Sequence, residues 1–172
     1  MFKIGDLIVY GNTGVCKVEK VGPLDASSGM GDREYYTLKP YYGSGNIYTP
    51  VDNTKVVMRS MLKKKEAEKL LEDIEDIDKL EIPDEKHREQ SYKDAIASAD
   101  CYELVKLIKT IYPRSLERIK MGKKVTAHDE RYYKMAEDFL LKEMALVFNK
   151  SIEDTKDYIL KKIPYDIKPI IV

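Results

Sequence analysis

The hydrophobic pattern of this chain changes its period near residue 58, and this change divides the chain into two regions. Before it, short apolar or alternating runs, such as residues 4–10 and 33–39, are separated by glycine-containing turns. That pattern is typical of β-strands. After it, apolar residues recur every three or four positions, which is typical of amphipathic helices. The order predicts an α+β protein with a boundary between about residues 51 and 62.

Residues 1–58 are predicted to form a small closed sheet. Short strands at roughly ten-residue spacing, about five in number, favour a Tudor- or SH3-like antiparallel β-barrel over a sandwich. The run 33–39 places Tyr36 and Leu38 on one face and Tyr35 on the other. A loop is expected over residues 24–32.

Residues 62–163 are predicted to form a compact bundle of about five helices, followed by an apolar tail over 164–172. Asp100, Thr126 and Ser151 are expected to begin helices, because each is an N-cap residue type ahead of an apolar stripe. Pro113 is expected either to end the helix that follows Asp100 or to start the next one.

Composition excludes several classes of protein. The chain has 30 basic and 30 acidic residues, and 43% of its residues are hydrophobic, so it is neither a disordered polyelectrolyte nor a basic protein in bulk. It contains no apolar run long enough for a membrane span and no signal-peptide pattern at the N-terminus. Two cysteines exclude a disulfide framework and a Cys-rich metal site. We therefore expect a soluble cytoplasmic protein.

Evidence for catalysis is weak. The sequence contains no glycine-rich nucleotide loop, no HExxH zinc motif and no GxSxG nucleophile motif. The two histidines, His87 and His128, lie 41 positions apart, and both are expected to be solvated surface side chains. Cys16 is expected to be a buried, inert thiol, and no histidine adjoins Cys101 in the sequence. We predict no enzymatic activity.

Local charge is more informative than net charge. From Glu103 to Lys124 the chain has seven basic residues and two acidic ones. Two interpretations stay open, a surface that contacts DNA phosphates and an ordinary solvated helix face. Lys106 and Lys109 lie opposite the apolar stripe of their helix and are expected to face water. The basic residues are Lys106, Lys109, Arg114, Arg118, Lys120, Lys123 and Lys124.

Tyrosine is the dominant aromatic residue, with 13 copies against 3 phenylalanines and no tryptophan. Tyr35, Tyr36, Tyr41 and Tyr42 lie on or beside predicted strands, and about half of them are expected to be exposed. Exposed tyrosines suit a protein contact, since they bury a large area with little loss of entropy. They could instead stack on unpaired bases, but the near-neutral charge of this region favours protein contact.

Two sets of residues match a known pattern. In the first region they are Phe2, Ile4, Gly5, Asp6, Ile8, Val9, Tyr10, Gly14 and Val15, then Tyr36, Leu38, Thr49, Pro50 and Val51. In the second they are Tyr92, Lys93, Asp100, Leu104, Val105, Ala136, Glu137, Leu140 and Glu143. Together with the barrel-then-helices order, they resemble the CarD-like bacterial transcription regulators over about residues 1–163. The N-terminal module of these regulators also occurs in the transcription-repair coupling factor.

The resemblance implies a Tudor-like module, residues 1–58, that binds the β subunit of RNA polymerase. It also implies a helical domain, residues 62–163, that touches promoter DNA at the upstream edge of the melted bubble. It implies no catalysis and no cofactor, and we predict neither a membrane nor a small-molecule substrate as a partner. We predict a transcription regulator that modulates open-complex stability. The alternatives are an adaptor that binds polymerase without acting on DNA, and a small RNA-binding barrel protein.

The sequence departs from the family at a position of functional importance. The family's tryptophan wedges into the minor groove, and this chain has no tryptophan. The corresponding position falls at about Arg88, or near Glu81 if the alignment is shifted. The family's polymerase-facing arginines align near Leu24 and Tyr48. We therefore assign polymerase binding to Leu24, Tyr35 and Tyr48, and DNA binding to Arg88, Lys106, Lys109, Arg114, Arg118, Lys123 and Lys124.

Overall fold

The protein is described here by a computed structural model that covers residues 1–24 and 33–162. The chain divides into two compact units, Met1–Met61 and Leu62–Val172. Nearly all of the predicted loop over 24–32, and the whole of the predicted tail over 164–172, fall outside the described residues.

The N-terminal unit contains a five-stranded antiparallel sheet. The strands are β1 (Leu7–Tyr10), β2 (Gly14–Pro23), β3 (Glu34–Pro40), β4 (Ile47–Pro50) and β5 (Met58–Ser60). Their order in the sheet is β4-β3-β2-β1-β5. One turn of 3-10 helix, Gly11–Thr13, connects β1 to β2.

The core of this unit follows the alternation read from the sequence. Tyr36 and Leu38 of β3 are buried, whereas Lys39 is exposed, because successive strand residues point to opposite faces. The buried hydroxyl of Tyr36 accepts a hydrogen bond from the backbone N–H of Phe2 at 3.0 Å. The N-terminal residues are thereby held against the sheet, beside a core that also includes Ile8.

The second unit contains five helices in the part of the chain that the structure describes. They are α1 (Lys64–Asp73), α2 (Arg88–Ala97), α3 (Cys101–Lys120), α4 (Ala127–Phe148) and α5 (Ile152–Lys162). The side chains of Asp100, Thr126 and Ser151 each accept backbone N–H groups of the first helical turn, so these predicted helix starts are confirmed. All five helices contribute to one apolar core. The prediction of an α+β protein, with a small antiparallel sheet followed by helices, is confirmed.

The prediction for Pro113 is wrong, because α3 continues through it to Lys120. A proline inside a helix removes one backbone hydrogen bond and crowds the preceding turn. That turn is fixed by Thr110, whose hydroxyl donates to the carbonyl of Lys106 at 2.7 Å and accepts the N–H of Leu80 at 2.8 Å. Burial of Ile111 and of the residues on its stripe holds the helix in one piece across the proline.

Candidate functional site

The free edge of the sheet at β4 is the first candidate surface. Among the described strands, β4 pairs with β3 alone. The N–H of Val51 donates to the carbonyl of Glu34 at 3.1 Å, so the alternation of an antiparallel pair turns the N–H of Tyr48 away from β3. Pro50 has no N–H to offer. Tyr48 is therefore the β4 residue that presents a backbone N–H at this edge.

Three exposed tyrosines lie in β4 and in the turn that precedes it. Tyr48 is 55% exposed, and Tyr41 and Tyr42, in the turn after β3, are 52% and 40% exposed. The rings of Tyr41 and Tyr42 lie 5.1 Å apart between centroids, and partial burial raises the pKa of the Tyr42 hydroxyl. Tyr36 is buried and Tyr35 half-buried, so the expected division of the strand tyrosines between core and surface is confirmed.

Tyr35 and Tyr48 share the outer face of the sheet. Tyr48 pairs with Thr37, and Tyr35 lies two residues before Thr37 on β3, so the pleat directs both tyrosines to one side. Leu24 follows β2 and is half-buried. Of the three residues assigned to polymerase binding, the sheet register thus brings two onto one face.

Arg88 and Arg114, two of the residues assigned to DNA binding, lie in a closed ring of hydrogen bonds. Glu85 accepts from Arg88 Nε at 2.8 Å and from Arg114 Nη2 at 2.7 Å. Arg114 Nε also donates to Asp129 at 3.0 Å, and the hydroxyl of Tyr92 donates to the same carboxylate at 3.0 Å. Arg88 Nη1 donates to the Tyr92 hydroxyl at 3.3 Å, which closes the ring.

Asp129 is the buried member of this ring, with 1% of its surface exposed. A carboxylate at such a depth requires partners, and it also lies in the first turn of α4, where the helix dipole favours negative charge. The neighbouring arginines, Arg88 above all, hold the pKa of Glu85 below its usual value. Each arginine is therefore already paired with a carboxylate of the chain itself.

The expectation that Lys109 faces water is wrong. Its ammonium donates to the carbonyls of Ile74 at 3.0 Å, Glu75 at 2.9 Å and Ile77, in the segment after α1. Burial lowers the pKa of this ammonium. Carbonyls past a helix end lack intrahelical partners, and Lys109 satisfies them from a neighbouring helix. Lys106, one turn earlier, is half-buried and paired with Glu103 at 2.7 Å.

The remaining basic residues lie at the end of α3 and in the turn to α4, and we call residues 116–124 the α3 tip. Gly122, with a φ of +69°, makes the turn. Arg118 Nε donates to the carbonyl of Lys124 at 2.9 Å. Lys120, Lys123 and Lys124 are exposed, and none of the three forms a salt bridge with another described residue. Of the basic residues between Glu103 and Lys124, the lysines of the α3 tip are therefore the most accessible to a partner.

Sequence reasoning missed the apolar side chains of the α3 tip. Leu116 is 37% exposed, Ile119 57% and Met121 68%. The available signal was the direct alternation of apolar with basic residues, since Ile119 lies between Arg118 and Lys120. An apolar residue that lies among basic residues at a helix end is expected to stay exposed, because it lies away from the hydrophobic core.

The isolated titratable residues occupy ordinary positions. His87 and His128 are exposed beside Asp84 and Glu89, at 2.8 Å and 3.6 Å, so their expected surface location is confirmed. Cys16 is buried, as predicted, and burial raises the pKa of its thiol to about 11. Within residues 1–24 and 33–162, no group of three His, Cys, Asp or Glu side chains is placed to hold a metal ion. No helix in those ranges has the length and apolar character that crossing a membrane requires.

Comparison with known protein families covers both units. Residues 2–62 match the family model of the CarD-like/TRCF RID domain. Residues 67–160 match the family model of the CarD C-terminal domain. The first match contains all five strands, and the second runs from within α1 to within α5. No curated protein matches the chain.

Proposed function

This chain belongs to the CarD-like family, and on that premise we propose that it binds the β subunit of RNA polymerase through its sheet and acts on promoter DNA through its helices. The family consists of transcription factors that are not enzymes, and the RID domain is a Tudor-like, RNA polymerase-interacting module. The observation that carries the proposal is the presence of both family domains, in order, on the two compact units.

The polymerase-binding surface in this proposal is the β4 edge with its tyrosines. An extended partner segment adds to a sheet through backbone hydrogen bonds at a free edge, and side-chain contacts on the adjoining face give specificity. Tyr48 supplies the outward N–H, and Tyr35 and Tyr48 supply aromatic area on one face. Tyrosine contributes such area at low entropic cost, and it is enriched in protein interfaces.

The DNA-binding part of the proposal places the helical unit against promoter DNA at the upstream edge of the bubble, where it modulates open-complex stability. Its support is the α3 tip, whose lysines are exposed and free of salt bridges with the described residues. Arg118, Lys123 and Lys124 are the phosphate contacts that we propose first. Arg88 and Arg114 contribute to DNA binding only when the ring around Asp129 opens.

A second candidate is an adaptor that binds polymerase without acting on DNA. The observation that favours it is the engagement of four assigned DNA-binding residues within the chain. Arg88 and Arg114 belong to the ring, Lys106 pairs with Glu103, and Lys109 binds backbone carbonyls.

A pull-down tests the polymerase contact. The full chain is immobilised and challenged with the isolated lobe of the polymerase β subunit at micromolar concentration, with an unrelated chain of similar charge as control. Retention of the lobe is the expected result. Absence of retention contradicts the proposal for the sheet.

Footprinting on a polymerase–promoter complex separates the two candidates. Protection just upstream of the bubble, with a changed open-complex lifetime, is expected if the helices act on DNA. Polymerase binding without such protection and with an unchanged lifetime establishes the adaptor instead.

A further inference from the structure

A cleft of about 490 Å³ lies between α3 and α4, beside the turn that joins them. Tyr112 and Ser115 line it from α3, Lys124 and Val125 from the turn, and Tyr133 from α4. Residues three apart share a side of a helix, so Tyr112 and Ser115 lie on the same side of α3. The volume of the cleft falls within the range of small-molecule sites, about 300–1,000 Å³.

Two tyrosine rings form the wall of this cleft. The ring centroids of Tyr112 and Tyr133 lie 6.5 Å apart, and the ring planes are inclined by 34°. Both side chains are half-buried, so each ring keeps surface that a ligand can contact. Burial above all, and then the carboxylate of Glu137, raises the pKa of the Tyr133 hydroxyl, which keeps the ring neutral. Together with the aliphatic surface of Val125, this wall favours a flat aromatic ring as the occupant.

Lys124 supplies the unmatched charge at the cleft. Lys134 also lines it and is paired with Glu130 at 2.8 Å. The buried carboxylate of Asp129 is held by Arg114 at 3.0 Å. Lys124 is exposed and forms no ion pair with another described residue. Its ammonium is a compact charge that can bind a phosphate or a carboxylate.

The hydroxyl of Ser115 is a second available polar group. It is half-buried and has no hydrogen-bond partner among the described residues. A serine or threonine inside a helix can donate to the carbonyl one turn earlier, as Thr110 does on the same helix. Because Ser115 does not, its hydroxyl can donate to a ligand in the cleft or accept from it.

The larger groove of the helical unit, of about 1010 Å³, is less suited to a small ligand. It is lined mainly by charged side chains, and its described lining contains no aromatic ring. Two of its lysines are engaged within the chain, since Lys109 binds backbone carbonyls and Lys106 pairs with Glu103. The smaller cleft, with an aromatic wall and a few polar groups, has the usual composition of a ligand site.

We propose that the cleft between α3 and α4 binds a small ligand in which a flat aromatic ring carries an anionic group, either a phosphate or a carboxylate. The ring packs against Tyr112 and Tyr133, and the anion contacts Lys124 and the Ser115 hydroxyl. An inorganic anion would leave the aromatic wall unused, and an uncharged aromatic ligand would leave Lys124 unused. The ligand is bound and not transformed. This inference goes beyond the proposed function and can be tested without polymerase or DNA.

The experiment titrates the full chain with the dye anilinonaphthalene sulfonate, an aromatic anion whose emission rises in an apolar site. We expect one dye molecule to bind per chain. K124Q is expected to weaken binding about 5-fold, because the charged contact is lost, and Y112L about 10-fold, because the aromatic contact is lost. The control K120Q alters an exposed lysine outside the cleft, and Y41L alters an exposed ring of the N-terminal unit. Both are expected to bind the dye like the wild type.

Competition against the bound dye identifies the chemistry of the ligand. Adenosine monophosphate carries a ring and a phosphate, and indoleacetate carries a ring and a carboxylate. We expect at least one of them to displace the dye, and the stronger competitor identifies the preferred anion. Adenosine, which lacks the anion, and ribose phosphate, which lacks the aromatic ring, are expected to compete at least about 10-fold more weakly. Circular dichroism of each variant verifies that the helices are intact.

Five outcomes overturn the inference. They are failure of the wild-type chain to bind the dye, binding of several dye molecules per chain, and wild-type affinity in either K124Q or Y112L with the helices intact. The fourth is displacement by ribose phosphate or adenosine as effective as displacement by the aromatic anions. The fifth is failure of both aromatic anions to displace the dye.

Discussion

At the scale of single residues, the ring around Asp129 shows how a charged side chain that looks available in the sequence becomes structural. The carboxylate is buried, and it accepts hydrogen bonds from Arg114 Nε and from the Tyr92 hydroxyl. Removing the buried carboxylate leaves its donors without an acceptor. This lowers the free energy of unfolding more than the loss of an exposed ion pair does. The ring joins α2, α3 and α4, so we expect it to stabilise the fold whether or not it also has a function.

Replacing Asp129 by alanine is expected to lower the free energy of unfolding by about 2–4 kcal/mol. The matched control is D138A on the same helix, which removes the partly exposed pair with Lys142 and is expected to cost less than about 0.5 kcal/mol. Urea unfolding followed by circular dichroism measures both. Equal effects of the two variants would show that the ring contributes no more than a surface ion pair.

Cys16 offers a residue-scale prediction about pH. Burial raises the pKa of this thiol to about 11, so at pH 8 the thiolate fraction in the folded chain is about one in a thousand. In the unfolded chain the pKa returns to about 8.5. Because the folded pKa is raised, the fold gains stability from the neutral thiol, and that gain is lost as pH rises from about 8.5 towards 11.

The measurement is alkylation of C101S, in which Cys16 is the remaining cysteine, with iodoacetamide at pH 8. We expect negligible modification of the folded chain and complete modification in denaturant. Rapid labelling without denaturant, at the rate of a free thiol, would mean that Cys16 is accessible and ionised in the folded state.

At the scale of elements, the sequence predicts whatever depends on local periodicity and fails where a distant segment intervenes. The caps at Asp100, Thr126 and Ser151 were predictable because an N-cap acts within one turn. The continuation of α3 through Pro113 was not, because it depends on packing across the helical core. The burial of Lys109 was not predictable either. Lys109 lies opposite an apolar stripe, and its burial depends on contact with the segment after α1.

The candidate sites also have a part that the sequence predicts and a part that depends on distant segments of the chain. The β-strand alternation placed Tyr35 on the outer face of β3, and the register with β4 then added Tyr48. No sequence signal showed that Arg88 and Arg114 share Glu85, since that contact joins positions 29 residues apart. A contact between residues so far apart in the sequence becomes visible only in the three-dimensional structure.

The β4 edge provides a prediction at this scale. Y48P removes the outward N–H and leaves the ladder to β3 intact, because the lost donor faces away from the sheet. Y48T keeps the N–H and removes only the ring. We expect Y48P to weaken binding to the polymerase β lobe by at least about 10-fold and Y48T by a few-fold.

Titration of the labelled β lobe against each variant measures these affinities, and circular dichroism checks that the sheet is retained. I4S serves as the surface control, since Ile4 is exposed and lies outside the five strands. If Y48P binds as well as Y48T, backbone pairing at this edge is not the mode of contact.

At the scale of the whole molecule, a net charge of zero decides where any attraction to DNA must originate. The 30 cations and 30 anions cancel at long range, so steering comes from segregated charge near the contact and not from the molecule as a whole. The α3 tip is such a segregated site. The N-terminal unit, with its aromatic edge, needs no net charge to bind a protein partner.

A charge-reversal pair tests this argument on the full polymerase–promoter complex. K123E/K124E and K64E/K65E change the net charge equally, and all four lysines are exposed. Only the first pair lies in the α3 tip. We expect K123E/K124E to weaken association of the chain with the polymerase–promoter complex and to flatten its salt dependence, because phosphate contacts are lost. K64E/K65E is expected to behave like the wild type, and both variants to retain β-lobe binding. Equal losses in the two variants would show that net charge, and not the α3 tip, governs the approach to DNA.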